Sequence, residues 1–342
     1  MTVPELEALM VERGEKAFRG RQVAQWIYQR LARDPREMTD LSKTLRASLA
    51  MERRVGATEV VQVAHAADET QKALLQLADG ATVEGVLMRQ DNRWTMCLSS
   101  QAGCALRCQF CVTGTLGLRR NLTAGEMVDQ VLIGKRLLAD LKGAETQLTN
   151  VVFMGMGEPL LNLDNTLRAL EILTSPQCVA MSPRRITVST TGVTPALARL
   201  GAEGRGVNLA VSLNATTQPM RETLMPHAHR WPLDGLMEAL RAYPLGPHRR
   251  LTLEYVLLDE VNDSPADARR LAHLARGLRC KINLIPLNEA PALPFKRPSP
   301  QRVERFKEIL VAEQFTVSVR YSKGRSIMAA CGQLAGALPR AA

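Results

Sequence analysis

Apolar positions along the chain fall into three successive rhythms. Up to about residue 53 they recur with helical period. ELEALMVERG follows Pro4 and predicts a first helix that stops near Gly14. GRQVAQWIYQRLAR places Val23, Trp26, Ile27 and Leu31 on one face, and MTDLSKTLRASLAMER does the same with Leu41, Leu45 and Leu49 behind a Thr39 or Asp40 cap. From 57 to about 95 the runs EVVQVAHAA, QKALLQLA and TVEGVLMRQ read as strands, with a turn at Asp79 and Gly80. From Trp94 to Ser322 short apolar runs alternate with longer helical ones. TMCLSS, NVVFMGMG, RITVSTTG, NLAVSLN, LTLEYVLL and KINLIPLN are the strands, and five amphipathic segments lie between them. That alternation predicts parallel strands with helical crossovers, an α/β fold forming a partial (β/α)6 barrel or an open layer. QFTVSVR adds a last strand. The expected divisions are a helical module over 1–53, a β-rich extension over 54–93, the partial barrel over 94–322 and a tail over 323–342.

Composition narrows the class. A chain of 342 residues, 46% hydrophobic and 23% charged, can bury a large globular core. It has no run of about 18 apolar residues, so no membrane partner is expected. The N-terminal stretch has acidic residues and no apolar signal core. The formal charge of +10 favours a polyanionic partner, most simply nucleic acid. Only 4% of residues are aromatic, which suits a structured RNA held through phosphates better than stacked single strands. Arg19, Arg21, Arg30, Arg33 and Arg36 form either an RNA-facing side of the helical module or a solvated helix face.

The chemistry concentrates in CxxxCxxC, formed by Cys104, Cys108 and Cys111. Three thiolates can hold three irons of a cubane cluster and leave the fourth open to a ligand. Zinc would want a fourth Cys or His, and the nearest histidines are His65 and His227. A thiolate-held cluster implies a reducing compartment, the cytoplasm. Gly155–Met156–Gly157–Glu158–Pro159 follows the strand VVFM. Its glycines permit close backbone approach, and Glu158 can bind an amine. Ser189, then Ser212, Leu213 and Asn214, then Asn288 end later strands, where an α/β barrel builds its site. Their polar side chains can bond a ligand or simply cap a turn. Cys97 and Cys331 lie outside the triad, as small buried hydrophobes or as reactive thiols. Cys178 and Cys280 read as core thiols. Arg119 and Arg120 follow the cysteine loop, and Arg320, Lys323 and Arg325 flank Cys331, which suits phosphate positioning.

The cysteine spacing resembles that of radical S-adenosylmethionine (SAM) enzymes. Along nearly its whole length the chain resembles the RlmN and Cfr group of radical SAM RNA methyltransferases. The resemblance is carried by FRGRQ, EGVLM, FCVTGTLGLRRNLTAGE, GMGEPL, VSTTG, SLN, NLIPLN and AACGQLAG. It implies a radical SAM partial barrel with one 4Fe-4S cluster on Cys104, Cys108 and Cys111. It implies SAM contacts at Gly157, Glu158, Ser189, Ser212, Leu213, Asn214 and Asn288. It further implies that Cys331 carries a methyl group and forms a covalent RNA adduct, that Cys97 resolves this adduct by removing the ring proton and forming a disulfide, and that Glu84 is a second acid–base candidate that positions the base or completes a relay. Two SAM are used per turnover, with an external electron donor, and nothing in this scheme requires more than a monomer. The RlmN branch makes 2-methyladenosine at adenosine 2503 of 23S rRNA and adenosine 37 of tRNAs. The sister branch methylates carbon 8 of the same rRNA base. RYSKGRSIMAACG departs from tails with a Gly-Asp-Asp-Ile-Asp run, which bears on tail contacts and target preference. The alternatives are another radical SAM reaction on a non-RNA substrate, or an iron–sulfur RNA-binding or redox-sensing protein.

Overall fold

The computed structural model describes residues 1–52, 55–56 and 58–336. The expected division at 53/54 and the tail beyond 336 lie outside the described residues. Three helices open the chain: α1 (Val3–Glu12), α2 (Phe18–Tyr28) and α3 (Lys43–Glu52). The Glu5 carboxylate accepts the Thr2 amide at 2.8 Å, and Pro4 lies in the first turn, where no helical N–H is lost. Leu6, Met10, Val23, Ala24, Leu45 and Leu49 form the buried faces. Helix α2 crosses α1 at Gly20, where a β-carbon would come within 2.4 Å of the Glu7 backbone nitrogen. It ends five residues before Arg33, where the expected segment GRQVAQWIYQRLAR closes. The amides of Gln29 and Arg30 both bond the Gln25 carbonyl, and Leu31 turns left-handed at φ 58°. Of the five module arginines, Arg21 and Arg36 are committed to Glu7 and Asp34, and Arg30 stacks over Trp26 at 4.3 Å.

Four strands follow: β1 (Thr58–His65), β2 (Gln71–Leu77), β3 (Thr82–Gln90) and β4 (Arg93–Cys97). They form an antiparallel meander. A short ribbon of β5 (Gln101–Gly103) and β6 (Leu118–Asn121) then brackets the cysteine loop and the one-turn helix α4 (Val112–Thr115). Thereafter helix and strand alternate: α5 (Ala124–Lys142), β7 (Asn150–Phe153), α6 (Leu163–Thr174), β8 (Ile186–Thr190), α7 (Thr194–Glu203), β9 (Asn208–Ser212), α8 (Gln218–Leu224) and α9 (Leu233–Ala242). The series closes with β10 (Leu251–Leu257), α10 (Pro265–Ala275), β11 (Cys280–Pro286), α11 (Pro300–Ala312) and β12 (Val317–Val319).

The extension and the barrel share one sheet of ten strands, ordered β1-β2-β3-β4-β7-β8-β9-β10-β11-β12. Strand β4 is the hinge of this arrangement. It runs antiparallel to β3, with Cys97 opposite Val86, and parallel to β7, with Cys97 opposite Val152. From β4 onward all neighbours are parallel. Val151, Phe153, Val188, Leu209, Val211, Leu253, Ile282 and Leu284 are buried, as strands covered by crossover helices require. The first and last strands do not pair, so the barrel is partial. The ribbon β5–β6, the short helices α4 and α8, and the longer helix α11 were not expected. The ribbon β5–β6 is three and four residues long and carries no alternation. Helix α11 is conventional, with Ser299 bonding the Arg302 amide and Val303, Phe306 and Leu310 on its buried face. Among the described residues no helix is long and apolar enough to cross a membrane.

The close approach at Gly20 sets a test. Gly20→Ala forces α1 and α2 apart and costs about 1–3 kcal/mol, read as a lower denaturation midpoint. Gly235→Ala, at an exposed α9 position facing open space, is neutral or mildly stabilising.

Candidate active site

A cavity of about 980 Å³, counting its open mouth, lies at the C-terminal ends of the parallel strands. The loops after β7, β8, β9 and β11 reach it, as do the cysteine loop and Cys331. The cysteine loop is tightly wound. Gly103 has φ 78°, and a β-carbon there would stand 1.9 Å from the Gly117 carbonyl oxygen. The Cys104 amide donates to that same oxygen at 2.8 Å, and the Cys111 amide donates to the Cys108 carbonyl at 3.2 Å. These contacts bring the three thiols to one wall of the cavity.

Burial pushes the Cys104 thiol up to about 12, and the Cys108 and Cys111 thiols also rise by burial. Cys111 adds to the rise of Cys104, Cys111 and Cys104 add to that of Cys108, and Cys331 adds to that of Cys111. Backbone N–H groups pull the other way, from Leu106 toward Cys104 and from Thr113 and Gly114 toward Cys111. Bare, these thiols stay protonated. Metal ligation removes their protons outright, and the amides then support the sulfur charge. Among the described residues no three His, Cys, Asp or Glu groups converge on a single-ion site. A cubane takes one thiolate per iron, so its ligands need not crowd one point. The donor set fits an iron–sulfur cluster. Arg221 adds a cation. It is fully buried, its Nη2 donates to the Thr191 carbonyl at 2.6 Å, and its Nε has no acceptor. Burial lowers it to about 10, and nearby Cys108 partly offsets this.

The expected SAM contacts divide. Gly157, at φ 97°, passes Gln101 so closely that a β-carbon would meet it at 2.5 Å. Glu158 lies 2% exposed on the cavity wall. Its Oε1 accepts the Leu160 amide at 2.9 Å, and its Oε2 accepts the Thr191 amide at 2.8 Å. Burial raises its pKa, and those bonds oppose the rise. The Thr191 hydroxyl also donates to Oε2 at 3.1 Å and the Thr190 hydroxyl acts on the same carboxylate, so an amine would bind here by displacing a threonine hydroxyl. Ser189, Ser212, Asn214 and Asn288 also line the cavity. The Asn288 Oδ1 is buried without a donor, and the Asn214 amide nitrogen finds only the Met225 thioether at 3.5 Å. These unsatisfied groups fit a polar ligand. Leu213 is different: its side chain is wholly in the core and lines no cavity.

Cys97 and Cys331 line a second, smaller cavity together, with Met88, Met154 and Arg320. Cys331 also lines the larger one, so it stands at their junction. Burial and the Cys331 sulfur push Cys97 up to about 12, against Arg320. The Arg320 terminal nitrogens meet only thioethers, Met154 at 3.6 Å and Met88 at 3.8 Å. Glu84 lines neither cavity and is fully buried beneath the tail. Arg120 is committed to Asp79 and Glu126, while Lys323 and Arg325 are exposed. Cys178 and Cys280 are buried free thiols. His227 bonds the Leu106 carbonyl at 3.1 Å, and burial lowers it to about 4. Sequence reading missed Glu254, a buried carboxylate on the cavity wall that accepts from Ser189 at 3.0 Å. Its signal was one acid inside the apolar run LTLEYVLL. Arg221 was missed as well, because nothing in the run that forms α8 signals a fully buried arginine.

The partial barrel with a three-thiol loop at its C-terminal rim defines a radical SAM enzyme, and residues 98–272 match the family model described as Radical SAM superfamily. Residues 1–55 match Ribosomal RNA large subunit methyltransferase N-terminal domain. The dual-specificity RNA methyltransferase RlmN of Solidesulfovibrio magneticus is 50% identical over 98% of this chain and 95% of its own. That of Syntrophobacter fumaroxidans is 48% identical over 97% and 96%. A crystal structure of a radical SAM methyltransferase from Sphaerobacter thermophilus superposes with a TM-score of 0.95 at 46% identity, covering 98% of both chains. The chain belongs to the RlmN family of radical SAM methyltransferases, enzymes that use a 4Fe-4S cluster and SAM.

Gly103→Ala tests the loop. It should cut iron bound after anaerobic reconstitution severalfold, as Cys104→Ala does, because the β-carbon displaces backbone rather than a movable side chain. Iron at the wild-type level in Gly103→Ala would show that the loop tolerates rearrangement.

Proposed function

We propose that this chain is a dual-specificity RNA methyltransferase making 2-methyladenosine at adenosine 2503 of 23S rRNA and at adenosine 37 of tRNAs. It acts in the cytoplasm, as a monomer, with an external electron donor. The carrying observation is the pair of thiols Cys97 and Cys331 in one cavity, with Cys331 also open to the cavity of the three-thiol loop. A radical SAM enzyme that only generated a radical would need no such pair.

When bound, the cluster on Cys104, Cys108 and Cys111 and two SAM molecules per turnover supply one methyl group and one carbon-centred radical. Glu158, Ser189, Ser212, Asn214 and Asn288 would hold the SAM and Gly157 would let backbone approach it, while Leu213, whose N–H and carbonyl are bonded to Glu254 and Ala215, packs beneath the site. The Cys331 sulfur is the nucleophile that takes the methyl group. The carried carbon then joins the adenine ring, which tethers RNA to Cys331. Cys97 removes the ring proton as the adduct's unpaired electron is given up to the cluster that the three thiols would hold. The Cys97 thiolate then attacks the Cys331 sulfur, and the S–C bond breaks with its electron pair going to the carried carbon, which takes up a proton and becomes the methyl group, leaving a Cys97–Cys331 disulfide. The methylated base leaves, and external reductant restores both thiols. Lys323 and Arg325, exposed beside the tail, are free to meet RNA phosphates.

Nucleoside mass spectrometry after anaerobic turnover with 23S rRNA fragments or tRNA tests this reading. Cys331→Ala should lose 2-methyladenosine by about two orders of magnitude or more and form no adduct. Cys97→Ala should accumulate a protein–RNA adduct on a denaturing gel. New 8-methyladenosine would move the chain to the carbon 8 branch. Because Cys97 is held at about 12, its thiolate fraction rises about tenfold per pH unit below that value. Adduct resolution should therefore accelerate with pH between about 7 and 9, and a flat profile would exclude Cys97 as the group that loses its proton.

A further inference from the structure

Lys72 and Glu84 face each other on β2 and β3, 1% and 0% exposed, with Nζ and Oε1 2.8 Å apart. Oε1 has no hydrogen-bond donor, so this contact is an ion pair off hydrogen-bond geometry. A pair of apolar side chains would join two strands as well, without the cost of burying charge. What an apolar pair cannot do is satisfy main-chain groups of an irregular segment. That is where the remaining valences go. The Lys72 ammonium donates to the Met328 carbonyl at 3.2 Å. Glu84 Oε2 accepts the amides of Ala335 at 2.8 Å and Gly336 at 3.3 Å. Cys331 lies between these two fixed points. The opposite side of the same segment is tied to the cavity wall: Asn288 donates to the Cys331 carbonyl at 3.1 Å, and Thr113 to the Leu334 carbonyl at 2.6 Å.

We propose that the buried Lys72–Glu84 pair is a latch that sets the position of the Cys331 segment, with Glu84 acting as a positioning residue through the tail amides and not as a proton acceptor. The proposal rests on the reading of Cys331 as methyl carrier. Glu84 cannot reach the base without surrendering Lys72 and both amides, and it lines neither cavity.

The test uses full-length, anaerobically reconstituted protein. In the wild type, hydrogen exchange should show the amides of 335 and 336 protected. Exchange at the rate of a free peptide there would overturn the latch without any variant. Glu84→Gln, Lys72→Met and the charge-free double Lys72→Met/Glu84→Gln should keep iron content within about twofold of wild type. Each should exchange the 328–336 amides about tenfold faster or more and lower peptide-detected methylation of Cys331 by about tenfold or more. The double should be no worse than the singles, because the pair acts as a unit. If the singles lose iron through misfolding, the double and the wild-type exchange decide. A Glu84→Gln protein with a protected tail and normal Cys331 methylation that accumulates RNA adduct would make Glu84 a proton acceptor and overturn the proposal. If wild-type Cys331 is never methylated, the carrier reading fails, while tail exchange still decides the latch.

Discussion

A parallel sheet brings the C-terminal ends of all its strands to one rim, and everything chemical in this protein depends on that geometry. The loops after β7, β8, β9 and β11 have no other place to converge. Strand β4 extends the arrangement. By pairing antiparallel with β3 on one edge and parallel with β7 on the other, it welds a solvent-side meander to the barrel. The three strands of the extension thereby gain a fixed position beside the rim. Cys97, the last residue of β4, arrives at the rim on a central strand rather than on a loop. Its position is therefore set by two ladders of hydrogen bonds, a rigid mount for a group that must meet a second sulfur.

Charge at the rim follows from burial. Three thiols, Glu158 and Glu254 line one open-mouthed cavity, and two of the nearby cations, Arg221 and Arg320, have no carboxylate hydrogen-bond partner. Arg221 donates to carbonyls, and Arg320 touches thioethers. Cations held this way keep their field for whatever charge occupies the cavity, since no protein carboxylate neutralises them at contact. By contrast Arg120, close in sequence to the cysteine loop, is spent on Asp79 and Glu126. Nearness in sequence to the chemistry was a poor guide to which arginine serves it.

What could be read from the sequence was whatever depended on local spacing. The three-thiol loop, the GMGE turn and the polar strand ends announced themselves because each is set by residues a few positions apart. The alternation of strands and helices predicted the barrel for the same reason. Contacts between distant segments were not legible. Glu84 reads as a polar residue on a packing strand, and nothing nearby says that Lys72 and amides some 250 positions later complete its environment. Leu213 shows the reverse limit. It sits between two cavity-lining residues, yet strand alternation turns its side chain into the core. The meander's union with the barrel sheet also escaped, since a strand's second edge leaves no mark in its own sequence.

The tail poses a mechanical problem that the structure answers in a particular way. Cys331 borders two cavities, one with the three-thiol wall and one with Cys97. A sulfur that serves both must move, while a backbone that moved with it would lose registry with each. Bonds on both sides of the residue resolve the conflict. Lys72 and Glu84 hold the chain before and after it, and Asn288 holds its carbonyl. What remains free is rotation about the side chain, which steps between staggered wells rather than sliding continuously. Left-handed turns at Gly324, Met328, Gly332 and Gly336 fold the segment so that its polar groups face these partners in turn. Release of the segment would take the Met328 carbonyl from the buried Lys72 ammonium and two amide donors from the buried Glu84 carboxylate, and hydrogen bonds to charged groups contribute about 1.5–3 kcal/mol each. That cost opposes release of the segment, so a tail with no strand or long helix among its described residues acquires the rigidity of the sheet beneath it.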